Sequence, residues 1–381
     1  MDNTHKIRIL HVVYCMDPGG IENWLMNILR VTNRDIFHMD FLFHTKKISA
    51  YDEEILALGS NILRCPWSKN PLLYSRNFKI IIKKHGPYNV IHSHVHHFSG
   101  WILRAAYQAG IKIRIAHSHN NINDLISREN WIRKAYYFYM KYLIKRYASV
   151  GIAASIQSAK SLFGPKWENT NRWQLIQYGI NVNPFQMSVD KNALRRKLGI
   201  TDDSLVVGHV GRFCEQKNHP FIIDIFSEII RKDPFVRLIL IGDGQQFSTI
   251  KKLSKKKGVY KNIIFTGSSS NVAELMLGAM DVFIFPSLWE GLGIVIVEAQ
   301  AAGLPCILSE RIPHEAEIVS SLIYRIPLSK SAKEWAEIIF DVHKMKKKKI
   351  PSQKKSLQMV LNSPFNFKKG QLKLESIYNE K

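Results

Sequence analysis

The chain has 381 residues, 46% of them apolar, which is enough for two packed cores rather than one. Its charge is strongly basic, with 54 Lys+Arg against 31 Asp+Glu and a formal net charge of +23. Short apolar runs broken by Lys, Arg or His exclude a bilayer-spanning helix, and no nucleic-acid-binding signature accompanies the basic residues.

From the N-terminus, residues 7–14 (IRILHVVY) read as a buried strand, closed by the turn Asp17-Pro18-Gly19-Gly20. A helix is expected over 22–31, with Trp24, Leu25, Ile28 and Leu29 on one apolar face. Residues 39–43 form a second strand and 52–58 a helix; 89–92 and 113–117 are further strands on either side of a helix at 100–110. The stretch 131–147 (WIRKAYYFYMKYLIKRY) is a long helix, basic and aromatic together. Its aromatics suit either an anionic lipid surface or an ordinary core.

The alternation restarts in the second half. Strands are expected at 205–211, 236–242, 263–266, 282–285 and 306–309, and helices at 220–231, 247–257, 272–280 and 293–302. Strand and helix in alternation imply parallel strands with crossover helices, so two Rossmann-like halves lie in tandem, joined near 177–183 where Gly179, Asn181 and Pro184 interrupt the pattern. The tail holds a lysine run at 346–349, then Phe365, Phe367, Leu372, Leu374, Ile377 and Tyr378, which read as a closing helix.

The sharpest chemical signal runs from Pro286 to Ala299 (PSLWEGLGIVIVEA). A strand ends at Phe285, a glycine turn follows, and a helix starts near Gly293 with open backbone N–H groups that attract phosphate. Gly291 and Gly293 permit close approach. Glu290 on the turn and Glu298 inside the helix can face one crevice at the C-terminal edge of the sheet, where ligands bind in open α/β folds. Carboxylates there suit the hydroxyls of a sugar and a ribose. A second loop, Gly211-Arg212-Phe213-Cys214-Glu215-Gln216-Lys217-Asn218, places two cations after a strand, where they can clamp a diphosphate. Gly242-Asp243-Gly244 is a third strand-end turn, and the segment 263–268 (IIFTGS) lies after the next strand start.

The stretch EGLGIVIVEAQAAGLP, with Glu290 and Glu298 separated by seven residues, resembles the donor-site signature of the retaining GT-B glycosyltransferases of family GT4, of the capsular and exopolysaccharide type. The resemblance is strong over 205–310, moderate over 5–30 and 90–120, and slight in the tail. It implies an α/β GT-B fold: two Rossmann-like domains facing across a cleft. Residues 1–180 would bind acceptor, 181–345 would bind the nucleotide sugar, and the tail 346–381 would pack back on the first domain. By the same resemblance Glu290 holds sugar hydroxyls, Glu298 the ribose, and Arg212 with Lys217 the donor diphosphate in place of a metal. Asn218 departs from the glycine frequent there. Gly242 borders the nucleotide, 263–268 meets the base, and Gly291, Leu292, Gly293 and Ile294 supply the turn against the donor. Gly20 resembles the Gly-Gly loop that faces the donor phosphate, and His119, with His117 as second choice, the histidine that faces the donor sugar.

His92, His94, His96 and His97 form a further cluster, with His94 expected on the acceptor side. His-x-His on a strand puts two rings on one face and could suit a metal, but a metal hydrolase would need ligands on other strand ends of a barrel, so no metal and no cofactor is expected. The charge is uneven: residues 1–180 hold 24 Lys+Arg against 11 Asp+Glu, residues 181–340 hold 19 against 17, and residues 341–381 hold 11 against 3. A basic first half points to peripheral contact with an anionic membrane rather than to nucleic acid. Cys15, Cys65, Cys214 and Cys306 lie far apart without a CxxC pair, and the start MDNTHKIRIL has no apolar core of a signal peptide. The expected setting is the cytoplasm, at the inner face of the cell membrane. The expected activity, by the same resemblance, is transfer of a hexose-type sugar from a UDP-sugar to a saccharide or polyprenyl-diphosphate-linked acceptor. A nucleotide-sugar epimerase of the same architecture, which would usually lack the Glu290–Glu298 pattern, and a non-catalytic nucleotide-sugar-binding protein are the competing classes.

Overall fold

A computed structural model describes residues 6–66, 70–201, 203–269 and 271–380. The chain divides into two units, Met1–Gly179 with Lys368–Lys381, and Ile180–Phe367.

In the first unit the order is β1 (Ile7–Val13), α1 (Gly20–Val31), β2 (Phe37–Phe43), α2 (Asp52–Ala57), β3 (Ile62–Arg64), α3 (Pro71–His85) and β4 (Val90–Ser93). There follow α4 (Ser99–Gln108), β5 (Ile113–Ser118), α5 (Asn123–Ser127), α6 (Trp131–Tyr147), β6 (Val150–Ala153), α7 (Ile156–Phe163) and β7 (Trp173–Leu175). All strands pair in parallel in the order β3-β2-β1-β4-β5-β6-β7. Side chains alternate across the sheet with a period of two. Leu10 and Val12 of β1, Ile91 of β4 and Ala116 of β5 join a core with Tyr74 and Phe78 of α3, Ile102 and Leu103 of α4, and Ile144 of α6. His11, His92 and His117, one residue out of step, take the opposite face.

The second unit contains α8 (Lys191–Lys197), β8 (Val206–Val210), α9 (His219–Lys232), β9 (Arg237–Ile241), α10 (Phe247–Lys256), β10 (Ile263–Gly267) and α11 (Val272–Gly278). It continues with β11 (Val282–Phe285), α12 (Ile294–Ala301), β12 (Cys306–Ser309), β13 (Ile323–Ile326), α13 (Ala332–Lys349) and α14 (Gln353–Asn362). Its parallel order, β10-β9-β8-β11-β12-β13, reverses direction between β8 and β11. In doubly wound sheets ligands bind outside the strand ends at such a switch point. Val207, Leu240 and Ile284 pack on Ile222 and Phe226 of α9 and on Trp335 and Ile339 of α13.

The last helix, α15 (Phe367–Tyr378), returns to the first unit, where Leu374, Ile377 and Tyr378 are buried and Lys373 Nζ donates to the Leu175 carbonyl at 2.8 Å. The expected tail began at 346, but that point lies inside α13, and α14 stays with the second unit. There Gln353 Nε2 donates to the carbonyls of Ala301 and Phe185, both at 3.0 Å. Only Lys368–Lys381 join the first unit. The side chains of the lysine run 346–349, and residues 1–5 of the chain start, lie outside the described residues. No described helix is long and apolar enough to cross a membrane. The short strands β3, β6, β7 and β13 were not among the expected elements, because three or four residues are too few to show a period.

Because Ile377 is buried under the first sheet, Ile377→Ala should cost about 2–4 kcal/mol. Urea unfolding followed by circular dichroism measures this, and an unchanged midpoint would mean that the helix is not docked.

Candidate functional site

Three loops leave neighbouring strand ends of the second sheet: 211–218 after β8, 242–246 after β9, and 286–293 after β11. The first two are laced together. Phe213 N–H donates to the Asp243 carbonyl at 2.9 Å, and Gln246 N–H to the Phe213 carbonyl at 3.0 Å. Gly242 has φ +136°, and a Cβ there would lie 2.2 Å from the Gly211 carbonyl oxygen, so only glycine lets the loops pass.

The first and third loops meet through side chains. Lys217 Nζ lies 2.6 Å from Glu290 Oε1. Gln216 Nε2 donates to the other carboxylate oxygen at 3.1 Å and to the Trp289 carbonyl at 3.0 Å. Leu288 N–H donates to the Gln216 carbonyl at 2.9 Å, and Asn218 Nδ2 to the Pro286 carbonyl at 3.2 Å. The ammonium also sits 4.5 Å from the centre of the Phe285 ring. Asn218 occupies the left-handed region, φ 55°, a conformation that asparagine tolerates nearly as glycine does, which accounts for this departure from the expected pattern.

Gly293, φ 78°, starts α12 with no side-chain cap. That helix is buried on every side except a stripe formed by Ile294 and Glu298, one turn apart. The Glu298 carboxyl group has no hydrogen-bond partner among the described residues, and desolvation by the protein packed around it pushes it up to about 7. Gly291 and Leu292 are buried within the turn. Arg212 is exposed, and its guanidinium makes no ion pair among the described residues. The structure therefore brings Lys217 and Glu290 into contact, leaves Glu298 open on the next helix, and holds Arg212 in solvent on the lysine's own loop. Gln216, which orients Glu290, escaped the sequence reading. A glutamine beside a lysine in a strand-end loop offers no signal until its partner loop is known.

In the first unit Gly20 begins α1, and a Cβ there would meet nothing within 4 Å, so internal packing does not demand glycine. The histidines behave differently from free site residues. His119, His117 and His94 are all buried, and every ring nitrogen is paired. Tyr378 Oη meets His92 Nδ1 at 2.7 Å, and His92 Nε2 meets His117 Nδ1 at 3.0 Å. His117 Nε2 lies 3.4 Å from Tyr178 Oη, which also bonds His119 Nδ1. His119 Nε2 meets His94 Nδ1 at 2.9 Å, and His94 Nε2 meets His11 Nδ1 at 3.0 Å. The chain ends at His11 Nε2, which has no partner among the described residues. Trp24 of α1 lies across it, 5.4 Å from His117 and 4.8 Å from Tyr178 between ring centres.

Burial holds His92, His94 and His117 well below the usual imidazole range and pushes His11 and His119 down to about 3. They are neutral rings, each with one donor and one acceptor. As neutral rings they could ligate a cation: nitrogens of His94, His117 and His119 approach within 4.8 Å of one another, as do those of His11, His92 and His94. His11 and Tyr178 carry no signal in the sequence, since one polar residue in an apolar stretch looks like any other, and Tyr378 is marked there only as part of the closing helix.

The pattern of the family Glycosyl transferases group 1 matches residues 190–355. EpsF of Bacillus subtilis (strain 168), named as a glycosyltransferase, is 35% identical over 343 residues, 88% of this chain and 88% of that protein. The capsular polysaccharide biosynthesis glycosyltransferase CapH of Staphylococcus aureus is 26% identical over 384 aligned positions, 98% of this chain and 99% of its own. Among solved structures, Anabaena Alr3699/HepE in complex with UDP and glucose superposes with a TM-score of 0.80 at 20% identity, covering 98% of this chain and 100% of that one. The fold is thus GT-B, as the sequence implied.

The histidine chain makes a pH prediction. Unfolded histidine titrates near 6.5, so below that pH the unfolded chain takes up protons that the folded unit refuses, and stability is lost as pH falls. Each such ring removes about 1.4 kcal/mol per pH unit once well below 6.5. The urea midpoint should be flat above pH 7 and fall steeply from 6.5 to 4.5, with a shallower fall in His117→Asn. A midpoint independent of pH would contradict neutral burial.

Proposed function

The chain belongs to the glycosyl transferases group 1, a family of glycosyltransferases, and on that premise we propose a retaining transferase that takes its sugar from a UDP-sugar. Its acceptor is a saccharide or a polyprenyl-diphosphate-linked saccharide in cell-surface polysaccharide assembly. The UDP bound by HepE supports the nucleotide, and the name of CapH supports the pathway class.

The observation that carries the reading is the Lys217–Glu290 contact at the β8–β11 switch point, with Glu298 unpartnered beyond it. In this reading the diphosphate lies against Arg212, Lys217 and the backbone N–H groups of Gly291, Leu292, Gly293 and Ile294 at the start of α12. Gly242 keeps the neighbouring loop clear of the nucleotide. Glu290 accepts hydrogen bonds from sugar hydroxyls and Glu298 from the ribose. Two cations stabilise the departing diphosphate, so the transfer needs no metal and no cofactor.

The reaction breaks the anomeric carbon–oxygen bond to phosphate and forms a bond from the same carbon to the acceptor oxygen on the same face. The acceptor's proton passes to the leaving diphosphate oxygen. Gly20, His94, His117 and His119 belong to the unit that meets the acceptor; His119 and His117 serve as neutral hydrogen-bonding rings, not as bases. The protein works at the inner, cytoplasmic face of the membrane, held peripherally by the basic first unit.

Glu290→Gln and Lys217→Ala should each lower transfer at least about 100-fold. They should separate in UDP protection against thermal unfolding: Lys217→Ala weakens it and Glu290→Gln keeps it. Near-normal turnover in either folded variant, checked by circular dichroism, would remove the assignment.

A further inference from the structure

Helices α3, α4 and α6 pack side by side on the first unit. Together they carry ten lysines and arginines and not one carboxylate. Ordinary solvated helices mix the two signs, so a face of three adjacent helices with one sign only is an electrostatic surface. The same helices leave large apolar side chains in solvent. Trp131 and Phe138 of α6 are each 77% exposed and Leu72 of α3 is 72% exposed, while only Met140, Leu143 and Ile144 of α6 are buried.

These features are continuous. A cavity of about 370 Å³ opens between α3 and α4, lined by Arg76, Lys79 and Arg104 together with Leu72, Ile80 and Trp101. None of its three cations has an ion-pair partner among the described residues; Arg104 instead lies 5.5 Å from the Trp101 ring centre. Trp101 meets Tyr139 of α6 edge to face at 5.8 Å, and Tyr139 stacks toward Tyr142 at 6.4 Å. Cations, aromatic rings with polar tips and bare aliphatic groups therefore share one surface.

We propose that this three-helix face lies on an anionic bilayer, with a lipid phosphate seated in the cavity among Arg76, Lys79 and Arg104. It deepens the reading of the first unit as the membrane-associated one, and rests on it. Lysine and arginine heads match anionic phosphates, tryptophan and tyrosine match the interfacial layer, and Leu72, Ile80 and Phe138 match the acyl boundary. A nucleic acid would pair with the cations but would leave the aliphatic groups in water.

Co-sedimentation with phosphatidylglycerol/phosphatidylcholine vesicles and with pure phosphatidylcholine vesicles tests this on the full chain. The protein should sediment with the anionic vesicles only, and less as salt rises. Arg76→Ala/Lys79→Ala/Arg104→Ala should weaken this about 100-fold, and Trp131→Ser/Phe138→Ser at least about tenfold. All five positions are surface ones, and UDP protection against thermal unfolding should stay at the parent level in both variants. Loss of vesicle binding with UDP protection intact in the parent protein would overturn this proposal and leave the transferase reading standing. Equal binding to neutral vesicles, binding by the cavity variant equal to the parent, or competition by inorganic phosphate at the same phosphate concentration would each overturn it too.

Discussion

The contact between Lys217 and Glu290 organises the second unit, because it joins loops that leave two strands on opposite sides of the chain reversal. The strands β8 and β11 are neighbours, yet they are separated in sequence by two other strands and three crossover helices. The ion pair and the Gln216 hydrogen bonds are what fix their loops at the strand ends. Side chains at 15% and 5% exposure are too dry for a weak surface pair and not dry enough for a sealed core pair. Such a pair holds both groups in place until a ligand divides them. In the proposed reading a diphosphate draws on the lysine while hydroxyls take over the carboxylate, so the protein exchanges one set of charge-assisted bonds for another rather than exposing either group alone.

The first unit solves a different problem with neutral groups. Five imidazoles and two tyrosines share one hydrogen-bonded chain, and each neutral ring can give one proton and accept one. The donors must therefore point the same way within each run of rings on either side of Tyr178, whose hydroxyl oxygen can accept from both His117 and His119. Reversing one ring's tautomer would oppose two donors or two acceptors at its neighbours, so the set is rigid as a unit. Two of its members come from far away in sequence: Tyr178 ends the first stretch of the unit, and Tyr378 arrives on the last helix. The return of α15 thus completes a polar layer as well as an apolar one.

Much of this was legible in the sequence where a pattern was long or chemically odd. The strand at 282–285, the glycine turn and the two glutamates stand within seventeen residues, so their order alone places them on a strand end, a turn and a helix. The loop 211–218 was legible for the same reason. What sequence could not give was pairing across distance: that Gln216 holds Glu290, that His11 continues the line of His94, or that Gly242 is required by the Gly211 carbonyl. The aromatic helix at 131–147 left two readings open because its composition is the same in both. Burial shows which of its residues are core: Met140, Leu143 and Ile144 form a narrow inner stripe, and Trp131, Phe138 and Tyr142 remain outside.

The two halves also constrain the proton in the proposed transfer. An acceptor hydroxyl must lose its proton as the new bond forms, and a side-chain base would need to be free and of suitable basicity. Burial has taken that role from the histidines: it pushes His119 down to about 3 and holds His117 well below the usual imidazole range, and both nitrogens of each ring are already engaged. Glu290 is committed to Lys217 and Gln216. Glu298 has basicity enough, but it lies one turn inside α12, the place assigned to the ribose. The oxygen of the departing diphosphate is the group that gains basicity at the moment the proton is released, and the cations of the 211–218 loop are placed to hold it. Lys217, which positions the loops at rest through Glu290, would then also set the direction in which the proton moves.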